Sequence, residues 1–222
     1  GNEEVGVPVL EVSTRGAVAV DVEVRTLRQP VHSGLFGGAA PDALLALVRM
    51  LATLHDEAGD GAVPGLFARE WDGADTGEQL FRRAAGVLDG VSLVGTGRLA
   101  SRLWSRPSVS VIGIDAPPVA GAVNALVPHA KATVSLRIPP GADPGAEAAT
   151  LVAHLKRVAP WGVDVSVGEP TAWEGWQTRS DGPGFAAAAE AMADVYGRAP
   201  EVIGSGGSIP LLTTLQRLNP DA

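Results

Sequence analysis

The sequence predicts an α+β fold in which two helices cover one face of an antiparallel sheet, followed by a separate α/β segment. Apolar and polar residues alternate with the two-residue period of a half-buried strand in four segments: 16–26, 108–114, 130–138 and 163–167. Apolar residues recur at helical spacing in 41–54 and 147–158. The chain order is therefore strand, helix, strand, strand, helix, strand, which is typical of the ferredoxin-like βαββαβ sandwich.

The first strand and first helix have the clearest patterns. Alternation in the first strand runs from Val18 to Val24, and a glycine-rich loop, 30–40, follows it. Pro41-Asp42 then opens the helix, whose apolar residues continue through Leu54, and we expect it to end near Gly59.

Residues 61–106 are interpreted as an insertion, because glycines are frequent there and only 78–88 has a convincing helical period. The two strands after the insertion, 108–114 and 130–138, are each followed by a pair of prolines, at 117–118 and 139–140. Asp143 is expected to cap the second helix and Pro144 to occupy its first turn.

The chain changes character after residue 170. A short linker contains Trp173 and Trp176, and an alanine-rich helix is predicted at 185–196. A strand at 201–203, a glycine-serine loop at 204–210 and a helix at 211–218 complete the sequence. This piece is too small to close a core alone, so we interpret it as a fragment of a second, α/β domain.

Composition excludes several classes of protein. The chain has 222 residues, 45% of them hydrophobic and 19% charged, and a net charge of -8. It has no basic cluster for binding nucleic acid and no apolar run near the roughly 20 residues of a membrane helix. Because it has no cysteine, disulfides and thiolate metal sites are excluded.

Three segments together resemble one family. They are Val31-His32-Ser33-Gly34 with Gly37-Gly38, Asn124-Ala125-Leu126-Val127-Pro128 leading into the strand of Arg137, and Gly206-Gly207-Ser208-Ile209-Pro210. In order and spacing they are similar to the zinc peptidase family of acetylornithine deacetylase, succinyl-diaminopimelate desuccinylase, aminoacylase, carnosinase and glutamate carboxypeptidase. The stretch around Gly6-Val7-Pro8 and Thr14-Arg15-Gly16 resembles the junction between that family's catalytic domain and its lid.

The resemblance implies a cytoplasmic homodimer in which a catalytic domain binds two zinc ions and an inserted ferredoxin-like lid forms the dimer. Residues 1–14 would end a catalytic segment, 15–170 would be the lid, and 171–222 would be a catalytic-domain fragment. The intact enzyme would cleave peptides or N-acyl amino acids.

No metal ligand is identified in this chain. The family's ligand segments are expected before residue 1 and after Ala222, so we expect the fragment to bind no zinc and to be inactive alone. Glu3-Glu4 is interpreted as a solvated terminus, because the family's catalytic glutamate pair lies well upstream of the junction.

Three residues are candidates by resemblance. His32 would reach across the dimer and polarise the scissile carbonyl; the alternative is an ordinary loop histidine. Arg137 would bind the substrate carboxylate with its planar fork; the alternative is a solvated or ion-paired strand arginine. Asn124 would lie near the same carboxylate; the alternative is a turn-forming asparagine.

The loop residues Gly206, Gly207 and Ser208 would line the substrate cleft with backbone donors. A phosphate cradle is a weak alternative, because the loop lacks the Gly-Lys-Ser/Thr ending and the Rossmann spacing. Many family members carry a charged residue just before the two glycines. This chain has Ser205, which leaves the preferred substrate side chain open.

The remaining histidines and the tryptophans are interpreted as structural. His55, His129 and His154 show no metal-binding spacing, so we expect them at the surface or in packing. The tryptophans are expected to fill the core or the domain junction: Trp71, Trp104, Trp161, Trp173 and Trp176. The competing function for the chain is a non-catalytic oligomerisation or binding module.

Overall fold

The computed structural model describes residues 5–219. Its strands and helices are, in chain order, β1 (Val9–Thr14), β2 (Gly16–Arg25), β3 (Val31–His32), α1 (Ser33–Phe36), α2 (Ala43–Ala52), α3 (Glu78–Ala85), β4 (Ser108–Asp115), β5 (Ala125–Leu126), β6 (His129–Ile138), α4 (Pro144–Arg157), β7 (Asp164–Val167), β8 (Thr171–Trp173), β9 (Trp176–Gln177), α5 (Pro183–Tyr196), β10 (Glu201–Ser205) and α6 (Pro210–Leu218). A π-helical turn, Ser101–Ser105, precedes β4, and a 3₁₀ turn, Pro160–Gly162, precedes β7.

The large sheet has the strand order β4–β6–β2–β7, and each neighbouring pair is antiparallel. This is the ferredoxin-like arrangement, and it confirms the predicted α+β fold. β8 extends the sheet by pairing with the first residues of β2, where Ala17 lies opposite Trp173. Helices α2 and α4 both contact β2, as expected for helices that cover one face.

The core of the large sheet follows from the alternation in the sequence. Val18, Val20, Val22 and Val24 of β2 are 0–1% exposed, and the intervening Ala19, Asp21 and Glu23 are half-buried. Leu47 and Met50 of α2 and Leu151 and Leu155 of α4 pack against this face. Each fully buried aliphatic side chain contributes about 1.5–3 kcal/mol.

Aspartate caps fix where the two covering helices begin. Asp42 Oδ1 accepts from Leu45 N at 2.8 Å, and Asp143 Oδ1 accepts from Ala146 N at 2.6 Å. Both caps satisfy backbone donors that a helix start leaves unpaired. Asp42 Oδ2 also accepts from Val127 N at 2.6 Å, which ties the start of α2 to the segment that leads into β6.

A small sheet, with the order β10–β1–β9, brings together segments far apart in the chain. β1 pairs with β10 in parallel, and the sequence did not predict β1. Val12 and Ile203 of this pair pack against Trp71 and Trp104 of the insertion. The two tryptophan rings meet edge to face, with centroids 5.1 Å apart.

The C-terminal helices and one tryptophan depart from a buried arrangement. Neither α5 nor α6 contains a buried residue, and Leu211 is 62% exposed. Trp161 was expected in the core or at the junction, and this prediction is wrong, because its side chain is 58% exposed. Its backbone has a positive φ of 55° within the 3₁₀ turn. Its ring instead lies under the guanidinium of Arg49, 5.5 Å from the centroid.

No helix among residues 5–219 is long and apolar enough to cross a membrane.

Candidate functional site

The predicted site residues form two groups at opposite ends of strand β6. Arg137 lies next to the last residue of β6, whereas Asn124 precedes the first residue, His129, by a short segment. With a rise of about 3.3 Å per residue, the eight steps from His129 to Arg137 span roughly 26 Å. The two groups therefore do not form one site within a single chain.

His32 and Asn124 form the first group, which we call the histidine end. β3 and β5 pair so that His32 lies opposite Ala125, and Ser33 N donates to Asn124 O at 2.9 Å. Through this pairing the loop of His32 is held beside the segment that enters β6. Both His32 and Asn124 are exposed.

The imidazole of His32 has a defined orientation. Gly34 N donates to His32 Nδ1 at 3.1 Å, so the ring caps the short helix α1. A Cβ at Gly34 would lie 3.0 Å from His32 Cε1, which shows why glycine allows this close approach. Because Nδ1 accepts a hydrogen bond, the neutral ring carries its proton on Nε2, which is left as a donor.

Apolar side chains near the histidine end are unusually exposed. Leu35 is 78% exposed and Phe36 is 50% exposed, and both directly follow the His32 loop in helix α1. Val123, next to Asn124, is 78% exposed. Apolar surface grouped in this way is typical of a region that contacts another protein.

Arg137, Gly206 and Ser208 form the second group, which we call the arginine end. Arg137 Nη1 donates to Ser208 Oγ at 3.0 Å, and Ser208 Oγ donates to the backbone oxygen of Arg15 at 2.7 Å. Arg15 N donates to Ser205 O at 3.1 Å. The glycine-serine loop, which also contains the exposed Gly207, is thereby held against the strand that carries Arg137.

Arg15 is a component of the arginine end that the sequence analysis did not single out. It is 8% exposed; its Nη1 donates to Ser108 Oγ at 2.8 Å and its Nε donates to Gly206 O at 3.4 Å. Burial, with a further contribution from the positive charge of Arg137, lowers the pKa of Arg15 to about 10. The guanidinium therefore remains a cation at neutral pH.

The arginine end has positive charge without a matching carboxylate. Within residues 5–219, neither Arg15 nor Arg137 forms an ion pair with an aspartate or glutamate. Two neighbouring guanidinium groups beside a glycine-containing loop are suited to binding an anion, because guanidinium N–H groups form charge-assisted hydrogen bonds. A signal was present in the sequence, because Arg15 lies in the Thr14-Arg15-Gly16 junction directly before the alternating segment 16–26.

The other predicted polar residues lie elsewhere. His154, a residue of α4, is buried, and its Nε2 lies 2.9 Å from Thr53 Oγ. His55 Nε2 lies 3.0 Å from Val109 O. His129 is exposed at the start of β6. Glu3-Glu4 lies outside the described residues. In the part of the chain from 5 to 219, no three His, Asp or Glu side chains are grouped to hold a metal ion.

Comparison with known proteins gives one family match. Residues 12–163 match the model of the M20 peptidase dimerisation domain. The chain is 39% identical to the cysteinylglycine-S-conjugate dipeptidase of Corynebacterium striatum, over 100% of this chain and 50% of that protein. It is 26% identical to the human Beta-Ala-His dipeptidase, over 95% of this chain and 44% of that protein.

Solved structures share the fold at lower identity. The crystal structure of human carnosine dipeptidase 1 has a TM-score of 0.78 and 24% identity, over 98% of this chain and 49% of that chain. The M20 family metallo-carboxypeptidase Sso-CP2 from Sulfolobus solfataricus has a TM-score of 0.74 and 20% identity, over 96% of this chain and 57% of that chain. The chain thus spans about half the length of the relatives it matches.

Proposed function

Because the chain belongs to the M20 peptidase dimerisation-domain family, we propose that it is the dimerising and substrate-capping part of a dinuclear zinc amide hydrolase, a dipeptidase or N-acyl amino acid deacylase. The observation that carries the proposal is the separation of the histidine end from the arginine end along β6. A site that needs both ends is completed when a second copy supplies one of them. Residues 15–170 would be the lid, and residues 1–14 and 171–222 would belong to the catalytic part.

The arginine end would bind the free carboxylate of the substrate. Arg137 lies on the polar face of β6 and has guanidinium N–H groups beyond the one that Ser208 accepts. A guanidinium binds a carboxylate through two parallel N–H groups, which fixes the carboxylate plane as well as its position. The backbone of Gly206 and Gly207 would line the cleft beside it.

The histidine end would act on the amide group that is cleaved. His32 Nε2–H would donate to the carbonyl oxygen in the partner's site, where negative charge develops as the amide is attacked. The Nδ1 bond from Gly34 N supports this role, because it keeps the proton on the nitrogen that points away from the cap. Asn124 would add a polar contact near the same substrate.

Self-association would use the exposed edge of the large sheet. β4 is an edge strand, and its Val111, Ile112 and Ile114 are 42%, 64% and 47% exposed. On α2, Leu45 and Val48 are 52% and 48% exposed. Unpaired apolar edges favour pairing with another strand, so this edge and helix are proposed as the dimer interface.

Zinc does not fit the described residues, because they provide no group of metal ligands. The two metal ions would be held by other segments of a longer protein, and the chain by itself is expected to be inactive. Dipeptides are the favoured substrates, since the relative from Corynebacterium striatum is named a dipeptidase. A cytoplasmic location is carried over from the family resemblance.

The proposal is tested by dipeptide hydrolysis in the longer, zinc-loaded protein that contains this chain. His32→Ala should lower kcat by about 100-fold to 1000-fold, as loss of an oxyanion donor does. Arg137→Ala should raise KM by about 10-fold to 100-fold, because a hydrogen bond to a charged group contributes roughly 1.5–3 kcal/mol. Arg83→Ala, at an exposed arginine of helix α3 in the insertion, is the control. Unchanged hydrolysis by both site variants would refute the assignment.

The alternative is a non-catalytic oligomerisation module. The complete core of the large sheet and its exposed β4 edge favour it, since both are independent of any metal site. Dipeptide hydrolysis by the longer protein separates the two possibilities, because a non-catalytic module predicts no hydrolysis that depends on His32 or Arg137. Light scattering and a zinc assay on this chain test what it does alone. Self-association is expected in either case, whereas stoichiometric zinc on this chain would contradict the proposed location of the metal ligands.

A further inference from the structure

Arg15 lies between two strands that belong to different sheets. β1 ends at Thr14 in the small sheet and β2 begins at Gly16 in the large sheet, so Arg15 is the single residue between these two strands. Gly16 permits this tight junction, because a Cβ there would lie 2.5 Å from the backbone oxygen of Trp173. The side chain of Arg15 is consequently enclosed rather than projected into solvent.

The same residue contacts the glycine-serine loop at several points. Its backbone N donates to Ser205 O at 3.1 Å, and its backbone oxygen accepts from Ser208 Oγ at 2.7 Å. Its side chain reaches Gly206 O through Nε at 3.4 Å. A Cβ at Gly206 would lie 3.2 Å from Arg15 Nη2, so the glycine leaves room for the guanidinium. These contacts fix the position of Ser208.

Arg15 also contacts the strand next to Arg137. Its Nη1 donates to Ser108 Oγ at 2.8 Å, and Ser108 lies opposite Arg137 in the β4–β6 ladder. The planar guanidinium can satisfy the loop and the strand together, because its donors point in fixed, divergent directions. A lysine ammonium has the charge but not this geometry.

A buried cation without a counter-ion is costly, and here a second cation lies nearby. The lowered pKa of Arg15 reflects both burial and the charge of Arg137. An anion bound at this end would offset both effects. A ligand anion bound at the arginine end would therefore balance the positive charges of Arg15 and Arg137.

We propose that Arg15 is a positioning residue of a carboxylate-binding site, in which it supplies a second positive charge and holds the Ser205–Ser208 loop so that Ser208 orients Arg137 toward the carboxylate. The ligand class is a small molecule with a free carboxylate next to an amide, such as an N-acyl amino acid. This inference rests on the proposed function for its ligand, but it concerns binding by this chain and not hydrolysis.

The test is calorimetric or NMR titration of this chain with N-acetylglycine, and with N-acetylglycinamide as the neutral analogue. Arg15→Gln should raise the Kd for N-acetylglycine by about tenfold or more, since charge-assisted hydrogen bonds are the strong ones. Arg15→Lys should give an intermediate Kd. Arg25→Gln removes an equal charge from an exposed position and should leave the Kd unchanged. Thermal denaturation checks that each variant folds.

Preference for the carboxylate over the amide separates an electrostatic role from a merely structural one. The unsubstituted chain should prefer N-acetylglycine, and Arg15→Gln should lose most of that preference while remaining folded. The inference is overturned if Arg15→Gln binds N-acetylglycine as tightly as the unsubstituted chain, or if the unsubstituted chain shows no preference at millimolar concentrations. Absence of hydrolysis in the longer protein would refute the proposed function and leave this result intact.

Discussion

The large sheet has a more extensive apolar core than the small sheet. In the large sheet, α2 and α4 bury Leu47, Met50, Leu151 and Leu155 against alternating valines. In the small sheet, β1 and β10 bury one apolar side chain each, Val12 and Ile203, against two tryptophans of the insertion, and the helices α5 and α6 bury none. The large sheet thus has an apolar core covered by its own helices, whereas the helices beside the small sheet contain no buried residue.

The difference teaches where stability and function come from in this chain. The large sheet supplies the stable framework and Arg137, and the small sheet supplies the loop with Ser208. Arg15 joins the two. Perturbations of the large sheet should therefore affect global stability, and perturbations of α5 and α6 should not.

The largest expected effect is a loss of stability on truncating the large core. Leu136 is 0% exposed, and Leu136→Ala should lower the free energy of unfolding by about 2–5 kcal/mol through lost burial and the cavity left behind. Leu211→Ala in α6 is the matched control, and a change within about 0.5 kcal/mol is expected there. Urea denaturation measures both. Equal losses would show that the C-terminal helices share one cooperative core with the large sheet.

A smaller effect is expected in the small sheet. A Cβ on Gly204 would lie 2.7 Å from Trp104 Cβ, and the buried indole cannot move away easily. Gly204→Ala should therefore cost about 1–3 kcal/mol through overpacking. At Gly184, in the first turn of α5, a Cβ meets nothing within 4 Å, so Gly184→Ala should be neutral or stabilising by up to about 1 kcal/mol. A neutral Gly204→Ala would mean that this packing is loose.

The smallest expected effect is a pH dependence within the large sheet. Burial, helped by the charge of Arg157, lowers the pKa of His154 below its ordinary value of about 6.5. In the folded state the neutral ring accepts at Nδ1 from Arg157, 2.9 Å away, and so carries its proton on the Nε2 that faces Thr53 Oγ. The unfolded chain takes up the proton first, so the contribution of His154 is complete above about pH 6.5 and is lost as pH falls.

The measurement is the urea midpoint between pH 7.5 and 5 for the unsubstituted chain and for His154→Gln. Burial raises the pKa of Glu147, so that carboxyl favours the folded state as pH falls and acts in the opposite direction. The difference between the two proteins isolates His154. The unsubstituted chain should lose more stability on acidification, and parallel curves would contradict the proposed neutral tautomer.

The sequence predicted the parts of the fold that local pattern determines. The valines of β2, the helix start after Pro41-Asp42 and the cap Asp143 are short-range features, and the structure has them where they were expected. β1 was missed because its partner β10 lies almost the whole chain away, and the sequence of Val9–Thr14 has no clear two-residue period. The paired strands at Val31–His32 and Ala125–Leu126 are too short to show a period.

The layout of the candidate site could not be predicted from the sequence. The family resemblance named His32, Asn124, Arg137 and the glycine-serine loop, and nothing local could show that they lie at two ends of one strand. Arg15 was not selected because arginine is usually exposed, and its burial depends on contacts with Ser108 and Gly206 that are distant in sequence. Trp161 was misplaced because its positive φ has no signature in the neighbouring residues.

The central claim is that one functional site combines the arginine end of one copy with the histidine end of another. Mixing two impaired variants of the longer enzyme, His32→Ala and Arg137→Ala, tests it most directly when hydrolysis is assayed well below the KM of the unsubstituted enzyme, where each variant alone has little activity. After subunit exchange at equal amounts, mixed dimers have one site with both residues intact, so about a quarter of the unsubstituted activity should return. If the two ends served one site within a single copy, no dimer would contain an intact site. Absence of any recovery, with exchange of subunits verified, would contradict the account.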